Sequence, residues 1–172
     1  VARNYREDVQ RCVNAASHWG QNHNLEIVTV DSGSTDGVGE WLEKVSQSDN
    51  RIKVIHTDCD VGEAEAKNMA LRQSRGTIIV QLDPTAEITG DIYTPISKIL
   101  TLRTVGAVGP FGLYSKDLHH FKEIDEPGEA DAIQAYCFAF RRELIGAIGF
   151  MRETFRFYRN LDLDYSFQMK SN

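Results

Sequence analysis

Val30-Asp31-Ser32-Gly33-Ser34-Thr35-Asp36-Gly37 decides how this chain is read. It follows Leu25 to Val30 (LEIVTV), a short β-branched run of the kind that forms a buried strand. The residues from Asp31 to Gly37 are turn formers. Beyond them Val38, Trp41, Leu42 and Val45 recur at helical spacing, with Asp36 placed to cap the helix. A strand, an Asp-bearing loop and a helix therefore stand in a row. Gly33 and Gly37 supply backbone freedom there, and Ser34 and Thr35 read as turn residues.

The same order continues on both sides. Val9, Cys12, Val13 and Ala16 mark one face of a helix from about Arg6 to Trp19. Ile52 to His56 reads as a strand, Glu63 to Gln73 as a helix, and Thr77 to Leu82 as a third strand. Thr94-Pro95 reads as a cap followed by proline at the first helical position, opening a helix to about Arg103. Val105 to Val108 is a short strand. Residues 111–130 are polar and irregular, and Ile133 to Phe140 is a strand. A short helix from Arg142, an extended Phe155 to Tyr158 and a last helix near Asp162 complete the chain.

Alternating strands and helices imply one α/β domain over 1–172, a mostly parallel sheet covered by helices on both faces. Ligands of such folds bind beyond the carboxyl ends of the strands. That rule selects three loops, Asp31 to Gly37, Thr57 to Gly62 and Asp83 to Glu87, and each carries aspartate. No GxGxxG, GxxxxGK[ST] or GxSxG motif accompanies them, which excludes a dinucleotide fingerprint, a P-loop and a hydrolase elbow.

The bulk properties narrow the classes further. The 172 residues carry 19 Lys and Arg against 25 Asp and Glu, a formal charge of -6 that argues against nucleic acid as a partner. No apolar run reaches the length of a membrane span. Three separated cysteines, Cys12, Cys59 and Cys137, form no CxxC pair. They read as buried packing residues in a reducing, cytoplasmic protein. Trp19 and Trp41 read as core, and the chain's start at Val1 reads as that of a processed or excised piece.

Four segments in order resemble family 2 glycosyltransferases. They are V-D-S-G-S-T-D-G at Val30 to Gly37, D-V-G-E-A-E-A-K-N-M-A at Asp60 to Ala70, the strand from Gly76 leading to Asp83, and AYCFAFRRELIGAIG at Ala135 to Gly149. FYRNLDLDYSF at Phe157 to Phe167 is similar to the family's late acidic motif. The resemblance runs from about Asn4 to the end. It implies a GT-A fold, a Rossmann-like three-layer α/β/α arrangement around a mixed sheet. It also implies that most of the family's opening central strand lies before Val1 and that the domain's end lies beyond Asn172. A sheet without that strand exposes edges that invite pairing, so a homo-oligomer is a further expectation.

The resemblance also implies an activity: transfer of a hexose from a UDP- or GDP-sugar to a hydroxyl of a glycan or lipid-linked acceptor, with inversion. It places Asp31 and Lys67 at the nucleotide and Asp83 at the ribose and at a Mn²⁺ or Mg²⁺ ion. Asp162 takes the role of general base. Each residue has a plainer reading. Asp31 can shape its loop, Lys67 can be a solvated helix charge, and Asp162 can serve the dipole of its helix start, as Asp164 does. Asn68 reads as a buried anchor. His119 and His120 read as solvent loop residues, and Arg141 and Arg142 as a solvated helix start or a phosphate contact. The chain departs from the family twice. Asp83-Pro84-Thr85 lacks the second carboxylate of D-x-D, with Glu87 two residues too far along, and Leu161 stands where a Glu is usual. Those departures keep open a non-catalytic domain of the same fold that binds a nucleotide-sugar, a glycan or a protein.

Overall fold

A computed structural model describes residues 1–155 and 160–171. The order is α1 (Arg6–Trp19), β1 (Ile27–Ser32), α2 (Val38–Ser48), β2 (Ile52–Thr57), α3 (Glu63–Gln73), β3 (Ile78–Leu82) and α4 (Tyr93–Ile99). Then come β4 (Ala107–Val108), β5 (Gly112–Tyr114), β6 (Lys122–Glu123), β7 (Ala132–Ile133), β8 (Cys137–Arg141), α5 (Leu144–Ile148) and α6 (Leu161–Lys170).

Strands β1 and β2 pair in parallel, and Ala2 bridges to Asp31 on the other edge of β1, also in parallel. Strand β8 lies between β3 and β4 and runs antiparallel to both. A small antiparallel sheet, β6-β5-β7, stands beside α6. Alternation along β3 and β8 divides the side chains between two cores. Ile79, Phe138 and Phe140 pack with Ala64 and Leu71 of α3 and with Leu161 and Tyr165 of α6. Val80, Leu82, Cys137 and Ala139 pack on the opposite face against Ile96 and Leu100 of α4. Helices α1 and α2 share a third core through Val9, Val13, Val38 and Leu42. The Tyr93 hydroxyl donates to the Ala16 carbonyl at 2.9 Å and ties α4 to α1. The result is the layered α/β architecture the sequence implies, but among the described strands only β1 and β2 pair in parallel, so the mostly parallel sheet expected is not what the named strands form. Between β1 and β3 runs a groove of about 170 Å³ lined by Val1, Ala2, Cys12, Val28, Val80 and Tyr93.

Several local expectations change. The α4 helix starts at Tyr93, because the Asp91 carboxylate accepts from the backbone N–H of both Tyr93 and Thr94 and does the capping assigned to Thr94. It ends at Ile99, short of Arg103. Residues 111–130 are not wholly irregular, since they hold β5 and β6. The strand expected over Ile133 to Phe140 is two strands, β7 and β8, interrupted at 134–136. Cys12 and Cys137 are buried, but Cys59 is exposed, and Trp19 is 37% exposed. Arg141 and Arg142 are half-buried and line an open cavity, with part of each guanidinium bound to protein groups. The first donates to the Leu100 and Val105 carbonyls, and the second to the Leu71 carbonyl and Ser74 Oγ. The extended segment expected to Tyr158 falls, apart from Phe155, outside the described residues, as do the first three residues of the late acidic segment.

Candidate functional site

The three Asp-bearing loops open at the carboxyl ends of β1, β2 and β3, where the chain turns toward its next helix. Asp31 is the fifth residue of β1 and only 6% exposed. Its Oδ1 accepts from Ser34 N–H at 3.2 Å, and its Oδ2 lies 3.1 Å from His56 Nδ1 on the neighbouring strand. Helix α2 closes over it, for a Cβ built on Gly39 would sit 2.3 Å from Oδ2. The other ring nitrogen of His56 is 3.5 Å from Glu43. The Asp31 carboxylate thus holds its own loop against α2 and β2. Nothing in the motif pointed to His56 as its partner, because that pairing depends on the β1-β2 register, Asp31 opposite His56.

The rest of the hallmark is laced in the same way. Asn4 N–H donates to Ser34 Oγ at 2.9 Å, and Asn4 Oδ1 accepts from Thr35 N–H at 2.8 Å. The Asp36 carboxylate accepts from Arg6 N–H and from Val38 N–H, so it serves the starts of α1 and α2 together. Gly33 has φ 65, and a Cβ there would meet the Cys59 backbone at 2.6 Å. Only glycine fits where the first loop crosses the second. Beside this crossing, Arg3 pairs with Asp60 at 3.1 Å and Lys67 with Glu63 at 3.2 Å. The Lys67 side chain is 14% exposed, not a freely solvated charge.

Asp83 follows β3 directly. Its N–H donates to the Tyr136 carbonyl at 3.0 Å, extending the β3-β8 ladder by one step. Its Oδ1 accepts from Thr85 N–H at 2.8 Å and from the Thr85 hydroxyl at 2.5 Å. Its Oδ2 accepts no hydrogen bond from the described residues. Glu87 is exposed beyond the turn. Asp162 lies in the first turn of α6, with Oδ2 accepting from Ala135 N–H at 3.0 Å and Oδ1 from Leu163 N–H at 2.9 Å. Asp164, two residues on, is bound to Arg152 and Gln168 at the surface.

One small cavity of about 10 Å³ brings Lys67, Gln81 and Asp162 together over Phe138 and Tyr165. The Gln81 amide nitrogen is buried there without a hydrogen-bond partner among the described residues. Burial pushes the Tyr165 phenol up to about 12, so this floor stays neutral. Asn68 fixes the same corner. It is fully buried, donates to the Met151 carbonyl at 2.8 Å and accepts from Met151 N–H at 3.0 Å. Asp31 stands apart from this cavity, on the β1 side of the fold.

A divalent cation with oxygen ligands takes about six, and a small one is often held by one or two carboxylates with substrate phosphates supplying others. Among the described residues no three His, Cys, Asp or Glu side chains converge as a cage. Asp83 has one carboxylate oxygen free, which fits the single-carboxylate mode. Thr85 does not add a ligand, because its hydroxyl is turned onto Asp83.

With this geometry in view, the relatives are informative. Glycosyltransferase GlyG of Streptococcus pneumoniae is 42% identical over 60 residues, 35% of this chain and 20% of that protein. The putative teichuronic acid biosynthesis glycosyltransferase TuaG of Bacillus subtilis is 35% identical over 82 residues, 48% of this chain and 31% of that protein. The chain thus spans less than a third of either relative. Among solved structures, a mannosyltransferase of Pyrobaculum calidifontis in complex with GDP-Man and Mn²⁺ superposes with TM-score 0.73 at 21% identity, covering 96% of this chain and 48% of that one. A structure of S. aureus TarS, residues 1–349, gives TM-score 0.72 at 15% identity over 98% of this chain and 52% of that one. These likenesses establish the fold as GT-A. The model of the family described as glycosyl transferase family 2 matches residues 1–165, and the chain belongs to that family.

Proposed function

We propose that this domain transfers a hexose from a nucleoside-diphosphate sugar to an acceptor hydroxyl, with inversion at the anomeric carbon. The observation that carries the reading is the pair Asp83 and Asp162. The Tyr136 carbonyl and the Ala135 N–H, adjacent positions of one turn, hold them at the end of β3 and β8. Asp162 takes the acceptor proton as the hydroxyl oxygen bonds to the anomeric carbon and the diphosphate leaves with the electrons of the broken C–O bond. Proton transfer to a positioned carboxylate contributes ~10²–10⁴-fold.

Asp83 would hold Mn²⁺ or Mg²⁺ through its free oxygen, and such an ion neutralises charge on the departing diphosphate. Lys67 adds a second positive charge at the same corner, restrained by Glu63. Asp31 binds at the nucleotide end of the same site, its carboxylate held by Ser34 and His56. The three cysteines form no disulfide, which accords with a cytoplasmic setting. No helix of the described residues is long and apolar enough to cross a membrane. A glycan or lipid-linked acceptor is part of the same proposal.

Calorimetric titration with UDP, GDP, UDP-glucose, UDP-N-acetylglucosamine and GDP-mannose, with and without Mn²⁺, tests it. Binding that requires Mn²⁺ and disappears in Asp83→Ala is the expected result. Absence of binding by all five in a folded sample overturns the donor reading.

A further inference from the structure

Phe111 and Tyr136 are 48% and 47% exposed, yet they are not scattered surface residues. Their rings meet edge to face, with centroids 5.5 Å apart and planes at 71°. Both backbones are pinned: the Phe111 carbonyl accepts from Gln134 N–H at 2.9 Å, and the Tyr136 carbonyl accepts from Asp83 N–H at 3.0 Å. The residue before Tyr136 donates its N–H to Asp162. Tyr136 therefore bonds the Asp83 backbone directly and is one residue from the N–H that donates to the Asp162 carboxylate.

The side on which the rings stand also matters. Strand β3 faces the β1 groove on one edge and pairs with β8 on the other. The Asp31 and Thr57 loops lie on the β1 side. Phe111 and Tyr136 lie on the β8 side, beyond Asp83 from those loops. Two half-exposed rings in a fixed edge-to-face contact keep apolar surface free for a ligand with an apolar face. A pyranose ring presents such a face in its axial C–H bonds, and its hydroxyls stay free for the carboxylates nearby.

We propose that Phe111 and Tyr136 form a stacking platform that holds a pyranose ring of the acceptor beside Asp162. The assignment of that ring to the acceptor rests on the transferase reading. The rings could take the donor's own hexose instead, and the test separates the two sources.

The whole chain, labelled with ¹⁵N, is titrated with the methyl glycosides of glucose, galactose, mannose and N-acetylglucosamine. Separate titrations use UDP, UDP-glucose, GDP and GDP-mannose with Mn²⁺. The expected result is saturable shifts centred on residues 111 and 134–137 for at least one methyl glycoside. That affinity falls about three- to tenfold in Phe111→Ala and Tyr136→Ala and is kept in Tyr136→Phe. Both rings are half exposed, so each alanine variant loses a little stability with the ring contact and stays folded, which its dispersed ¹⁵N spectrum verifies before titration. If no methyl glycoside shifts these residues, or if both alanine variants bind as the wild type does, the platform is overturned. If the alanine variants weaken only the nucleotide-sugars and leave UDP and GDP unchanged, the ring held belongs to the donor and the acceptor assignment falls. Glycoside binding without nucleotide binding keeps the platform and removes the transferase reading. Nucleotide binding without glycoside binding does the reverse.

Discussion

The hallmark loop after β1 and the strand end after β3 both carry an aspartate, and they use it in opposite ways. At the first, both oxygens of Asp31 face protein groups, and the loop around it is stitched by Asn4, Ser34 and Asp36. At the second, Asp83 leaves one oxygen free, Gln81 leaves an amide without a partner among the described residues, and two aromatic rings stand half exposed. The loop with the more specific sequence is the more self-contained structure. The looser sequence holds the groups with hydrogen-bonding capacity left over among the described residues. A motif can be specific because a crossing of two loops is demanding, as at Gly33 against Cys59, without its residues touching substrate.

The largest test of that contrast is Asp162→Asn. Turnover of whichever nucleotide-sugar binds should fall ~10²–10⁴-fold with donor affinity little changed. The asparagine amide keeps only one of the two acceptors for Ala135 and Leu163 N–H, so the melting temperature falls modestly. A variant that turns over normally would remove Asp162 from the chemistry. Asn68→Ala is next, and it acts on stability. It leaves the Met151 N–H and carbonyl without their partner in a fully buried corner, at about 2–4 kcal/mol in urea unfolding. Asp31→Ala should cost about 1–3 kcal/mol by the same argument, since it strips Ser34 N–H and His56 of their acceptor. If Asp31→Ala abolishes nucleotide binding at unchanged stability, the two strand ends are not opposites after all.

A pH experiment sharpens the contrast on an exposed turn. The His120 ring, then the backbone N–H groups of His120 and His119, hold the Asp117 carboxyl at about 2 against an ordinary 3.8. A carboxyl depressed on folding stabilises its turn above the ordinary value and loses that effect as pH falls through the folded one. Protection of the His119 and His120 amides, measured against their intrinsic exchange rates, should therefore hold above pH ~4 and fall between ~4 and ~2.

Long, periodic elements were legible from the sequence. The ends of α1 and α3 match the apolar spacing residue for residue, because each packs a single stripe into a core. The strands β5 and β6, three and two residues long, are too short for any period to register. The α4 start was misplaced because Thr94-Pro95 imitates a cap that Asp91 supplies. At the site, the single residues Asp31, Lys67, Asp83 and Asp162 were legible as candidates, and their partners were not. His56 reaches Asp31 across a strand register, Gln81 and Asp162 share a cavity across nearly half the chain, and Phe111 meets Tyr136 across an interrupted strand. Contacts between distant segments leave no local pattern to read.

Gln81→Leu should have the smallest effect, and its sign carries the information. Gln81 faces the same side of β3 as Ile79, opposite Phe138, so leucine places apolar atoms among apolar neighbours. Removing an amide whose buried nitrogen has no partner among the described residues should leave stability unchanged or raise it by up to about 1 kcal/mol. The cavity it shares with Lys67 and Asp162, about 10 Å³, is at the lower limit for one water. A water bridging the amide to Asp162 would reverse the outcome, because leucine would then strand both the water and the carboxylate. Chemical denaturation distinguishes the cases. A neutral or stabilising change shows that the fold does not rely on the polar groups around Asp162, whereas a loss of more than about 1 kcal/mol shows that this end of the sheet is as closed on itself as the Asp31 loop.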